Sequence, residues 1–140
     1  MDIIVGITLA LLFCGAAAGL GMDRDRVFYP AVLIATASYY VAFAVIDGRN
    51  EVMLSELAIA AVFIAGAAAG FRLNQWITVI ALAGHGVMDV FHHDLVHNTG
   101  VPRSWPGFCL SFDVTAAALV ALVMLARARG KRAPKSVGPG

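Results

Sequence analysis

The chain has 140 residues, of which 60% are hydrophobic and 14% charged, and its formal net charge is +1. That balance excludes a highly charged disordered protein. It also excludes a nucleic-acid reader, because the basic residues at the C-terminal end have no folded base-reading element beside them. Apolar runs near the ~20 residues that cross a bilayer point instead to a lipid-embedded helical bundle.

Hydrophobic stretches at 3–21, 27–46, 52–71, 74–92 and 108–126 read as five transmembrane helices of one domain, 1–126. Backbone groups in lipid must be satisfied within the fold, and the alternating strands of a barrel are absent, so the expected class is an all-α integral membrane bundle. The first stretch begins Met1-Asp2-Ile3 with no basic segment and is too long for a signal peptide, so it is expected to stay as helix 1. Asp23-Arg-Asp-Arg26 and Asp47-Gly-Arg-Asn-Glu51 read as tight turns, and Tyr29 and Trp76 suit the interfacial aromatic belt.

Helices 1 and 3 end alike, in Gly15-Ala-Ala-Ala-Gly19 and Gly66-Ala-Ala-Ala-Gly70. Small residues four apart let helices approach closely, so both are expected to make contacts within the bundle, with a homodimer seam as the alternative. From Arg127 the chain becomes basic and rich in Gly and Pro, and 127–140 reads as a disordered tail near anionic headgroups. Cys14 and Cys109 fall at different depths and are expected to remain separate thiols.

Orientation follows from Lys and Arg. With five spans, Arg24, Arg26, Arg72, Arg127, Arg129, Lys131, Arg132 and Lys135 share one side, against Arg49 and Arg103 on the other. The positive-inside rule places the N-terminus outside and the C-terminus in the cytoplasm, as a multi-pass protein of a bacterial cytoplasmic (inner) membrane.

All four histidines lie between His85 and His97. His85, Asp89 and His92 are spaced i, i+4, i+7 and share one face of helix 4, with His93 on its flank. At ~1.5 Å per residue, Asp89 lies about 5 Å and His85 about 11 Å below the outer boundary. Asp113 on helix 5 and Glu56 on helix 3 both fall roughly 8 Å deep on the same rise. Tyr39 and Tyr40 approach that level on helix 2. Ionisable groups are costly inside a bilayer, and several meeting in one layer suggest a functional site.

His85, Asp89, His92, Glu56 and Asp113 have the composition of a carboxylate/histidine metal site, with His93 as a candidate catalytic acid–base group. Mixed His and carboxylate ligands suit Fe, Zn or Mn better than Cu(I). The same groups could instead relay protons, contact a ligand, or form a structural network tying helices together. The loop Asn98-Thr-Gly-Val-Pro102-Arg-Ser-Trp105-Pro106-Gly-Phe108-Cys109 could anchor at the interface or cover the polar layer, with Arg103 able to hold an anionic group. Asp94 and His97 are expected in this loop and solvated. Cys109 and Asp113 are i, i+4, so Cys109 could face the site.

The segments Arg26-Val-Phe-Tyr-Pro30, Ala37-Ser-Tyr-Tyr-Val41, Gly84-His85-Gly-Val-Met-Asp89-Val-Phe-His92 and Gly100-Val-Pro-Arg-Ser-Trp105-Pro106-Gly-Phe-Cys109 with Asp113 resemble a family of small uncharacterised bacterial multispanning membrane proteins. The resemblance implies a membrane bundle and brings no activity with it. Two readings remain. One is a membrane metalloprotein, catalytic or not, that could act on a lipid-soluble substrate. The other is a non-enzymatic binding or transport component, a homo-oligomer, or an accessory subunit of a larger membrane complex.

Overall fold

Glycine and asparagine punctuation between long apolar runs sets the architecture of the computed structural model, which describes residues 1–132. The helices are α1 (Asp2–Leu20), α2 (Phe28–Asp47), α3 (Asn50–Arg72), α4 (Gln75–Leu95) and α5 (Trp105–Arg132), with a short 3₁₀ turn at Met22–Arg24. Gly21 and Gly48 end α1 and α2 with φ of 75° and 80°, the left-handed geometry that only glycine adopts without strain. Asn74 caps α4 by accepting from the Trp76 amide at 3.0 Å.

Helix ends differ from the sequence reading most at three places. α4 continues to Leu95, so Asp94 sits in its last turn rather than in the loop. α5 begins at Trp105, because Pro106 fits the first helical turn, where no amide partner is needed. α5 also continues to Arg132, through the start of the expected disordered tail. Arg and Lys are good helix formers, which lets the helix run on past its apolar part. The rest of that tail, 133–140, lies outside the described residues.

α4 is the hub. It packs against α5 on one side, α3 on the other and α2 across the bundle, while α1 flanks α5 and α2 flanks α3. Close approach is set by glycines. A Cβ on Gly70 would run into Thr78, and one on Gly66 would press on Ala81, so the second GAAAG sequence does seat α3 on α4. The first packs through Ala17 alone: nothing lies within 4 Å of where a Cβ on Gly15 or Gly19 would stand, and the buried stripe of α1 is Gly6, Ala10, Cys14 and Ala17. That stripe meets α5, where a Cβ on Gly6 would strike Ser111 and the Phe108 carbonyl.

The core divides by polarity. One half is apolar, built on Leu33, Ala67, Leu82, Ala117 and Val120. The other half, toward the end that carries the α4–α5 loop, is polar. At the opposite end Arg127 donates to Asp23 at 2.7 Å and ties α5 to the α1–α2 connection. Cys14 and Cys109 are both buried free thiols, as their different depths required.

Among the described residues four helices, α1, α2, α3 and α5 up to Gly130, are long and apolar enough to cross a membrane. Large apolar side chains such as Leu12, Val45, Leu54, Val62 and Ile80 are exposed on the outside of the bundle. Soluble monomers rarely expose contiguous apolar surface on this scale, which is what contact with lipid would explain. α4 is long enough as well, but its His and Asp residues lower its hydropathy. Those same residues are the ones it turns inward.

Candidate metal centre

The register of α4 puts His85, Asp89 and His92 on one buried face. One turn of that face carries Gly86, where a Cβ would stand 3.0 Å from the Asp113 Cβ and 3.2 Å from the Leu110 carbonyl. The missing side chain lets α5 close on α4 and delivers Asp113 to His85. His85 Nδ1 donates to Asp113 Oδ2 across 2.6 Å and lies 3.7 Å from Asp89 Oδ2. Ligand atoms of His85, Asp89 and Asp113 all fall within 4.8 Å of one another. The Phe63 ring meets His85 edge-on at 4.7 Å and fixes its plane.

Hydrogen bonding leaves this group incomplete. Among the described residues, both oxygens of Asp89, Oδ1 of Asp113 and the Tyr40 hydroxyl are buried without a hydrogen bond. The Tyr40 hydroxyl and the Cys109 thiol are the donors nearest Asp89, close enough to interact with it but outside strict hydrogen-bond geometry. Unpaired carboxylate oxygens in a dry interior are expensive, so such sites are paired or coordinate a cation. Donor atoms around one ion at ~2.0–2.2 Å stand about 3–3.5 Å apart. The 2.6 Å separation would have to open and the 3.7 Å separation contract by less than an ångström each.

Glu56 and His92, the other two expected ligands, form a separate pair. His92 Nε2 lies 3.0 Å from Glu56 Oε2, and Asn98 Nδ2 donates to Glu56 Oε1 at 2.8 Å. Asn98 also reaches the Tyr40 carbonyl at 3.4 Å. The Tyr40 ring stacks on His92 with centroids 3.9 Å apart and approaches His85 at 6.2 Å, so it stands between the two groups. One polar layer therefore holds two units: a satisfied Glu56–His92–Asn98 unit and an unsatisfied His85–Asp89–Asp113 unit.

The remaining expected residues lie outside the buried layer. His93, Asp94, His97 and Arg103 are exposed. His93 and His97 face each other with ring centroids 4.7 Å apart. Cys109 is buried and does face the site, as its spacing from Asp113 allowed. The loop lies over the layer and is held at its start. Asp47 Oδ2 accepts from the Thr99 amide at 2.8 Å and the Thr99 hydroxyl at 2.6 Å, and Arg49, bound to Asp47 at 2.7 Å, also donates to the His97 carbonyl. A Cβ on Gly100 would collide with the Phe43 carbonyl, so the loop packs directly on α2.

Asn98, Thr99 and the Asp47–Arg49 pair were missed in the sequence because a loop has no periodicity to align them with a helix face. The one available signal was Asn98 in a loop beside several buried acids.

No protein-family model matches the chain, and neither a curated protein nor a solved structure matches it. The resemblance to small bacterial membrane proteins therefore assigns no family.

Proposed function

We propose that this is a multi-pass protein of a bacterial cytoplasmic membrane, with α4 as a fifth span, that binds a divalent transition metal through His85, Asp89 and Asp113. The observation that carries the reading is the pair of buried, partnerless Asp89 oxygens beside Asp113 and His85. A divalent cation balances the two carboxylates with His85 neutral. Ligation needs His85 Nδ1 and both carboxylates free of protons, so binding strengthens as pH rises. One imidazole and two carboxylates suit Zn, Fe(II) or Mn, and leave a position for water or substrate.

The Glu56–His92–Asn98 unit holds the adjoining part of the layer rigid. An apolar groove of about 290 Å³ between α1, α2 and α5 is lined by Phe13, Tyr39, Trp105 and Phe108 and reaches Cys109. It gives a lipid-soluble substrate a side approach to Asp89. With the asymmetry of Lys and Arg, the site lies near the outer face.

Titration of metal-free protein in detergent with Co²⁺ tests this reading. Visible absorption that saturates in the wild type and is lost in folded His85→Phe and Asp113→Asn is expected. Absence of absorption in the wild type, or its persistence in both variants, would overturn the reading. One observation favours a second reading, an oligomer or accessory subunit: among the described residues nothing packs on Gly15 or Gly19, both of which are exposed. A stable assembly after mild extraction that Gly15→Leu disperses would support it.

A further inference from the structure

His85, Asp89 and Asp113 are 0–1% exposed, so any ion that reaches them needs a path through the protein. A pocket of about 470 Å³ opens beside the α4–α5 loop, with His92, His93, His97, Asn98, Thr99 and Arg103 among its walls. We infer that this pocket is the entry path for the ion and that His93 and His97 form its capture pair. The inference rests on the reading of His85, Asp89 and Asp113 as the metal centre.

The geometry supports each stage. His93 stands in the last turn of α4 and His97 two residues beyond its end, and the turn of the chain there brings their rings together. Here both rings are exposed, their centroids are 4.7 Å apart and their planes are 59° apart, which allows both to turn a nitrogen toward one ion. His92 forms part of the inner wall of the same pocket and stacks on Tyr40. The Tyr40 hydroxyl faces Asp89, so the inner wall of the pocket is one ring away from the centre. Arg103 lines the pocket too, and its positive charge opposes a cation held there. The capture pair therefore holds metal weakly and hands it on, whereas the buried carboxylates retain it.

The rate of Co²⁺ uptake at limiting metal is the test. His93→Ala/His97→Ala should reach the same final Co²⁺ absorption as the wild type, but severalfold more slowly, because the ion is no longer held at the mouth of the pocket. Arg103→Gln should load faster. In the His85→Phe background, which lacks the buried centre, weak Ni²⁺ binding should persist and disappear when His93 and His97 are also replaced by alanine. Equal loading rates in the wild type and the double variant would overturn the inference and leave the centre standing. If the wild type forms no Co²⁺ centre, the reading of the centre fails, and Ni²⁺ binding then decides whether the pocket is a cation site at all. No Ni²⁺ bound by the pair would overturn that as well.

Discussion

Asp89 and Asn98 sit in the same polar layer and should respond to substitution with opposite signs. Asp89 carries two buried oxygens without partners, a cost to the metal-free fold that the ion would remove. Asp89→Asn should therefore raise the thermal midpoint of metal-free protein in detergent while abolishing metal binding. A lower midpoint would show that the charge serves the fold. Asn98→Ala strips Glu56 Oε1 of its donor and should cost about 1–3 kcal/mol of stability, with or without metal. Unfolding by denaturant titration of both forms measures it. At this scale the sequence was legible where helical spacing could be counted. His85, Asp89, His92, Glu56 and Asp113 are all buried. Their division into a bonded pair and an open triad was not legible. It depends on rotamers and on Asn98, which no periodicity places.

At the scale of helices, glycines decide which faces meet, and identical short sequences do different things. Gly86→Ala would wedge α4 from α5 at Asp113, so we expect a loss of about 1–3 kcal/mol, the usual range for overpacking. Weaker metal affinity should accompany it, because Asp113 reaches His85 only through that contact. Gly15→Ala, on an open helix surface, should instead be neutral or stabilise by up to about 1 kcal/mol through helix propensity. Thermal unfolding of the two variants in one detergent checks the contrast, and a destabilised Gly15→Ala monomer would contradict the assignment of that face. The two GAAAG sequences look equivalent because spacing defines a small face but not its neighbour. In α1 the stripe from Gly6 to Ala17 faces α5, which turns Gly15 and Gly19 outward.

Over the whole molecule, apolar segments and their turns made the five-helix bundle readable, since each long run ends in a local signal such as Gly21, Gly48 or Asn74. The helix that the hydropathy pattern supports least, α4, is the one that packs against three of the others, α2, α3 and α5. Its polar residues weaken the signal because they face inward and meet the acids of α3 and α5. The loop that covers this layer is latched by Asp47 to Thr99, an arrangement across two separate connections that sequence spacing does not reveal. Asp47→Ala should free that segment, seen as faster proteolysis between α4 and α5 with helix content unchanged. Unaltered cleavage would show that Asn98 and Gly100 suffice to hold it.

The most direct test of the account is elemental analysis of protein purified in detergent after growth with Fe, Zn and Mn, beside a folded His85→Phe/Asp113→Asn variant. Stoichiometric transition metal in the wild type and none in the variant is the expected result. Wild-type protein that is folded and metal-free after such supplementation, or a variant that keeps the same metal content, would contradict the assignment of the buried triad.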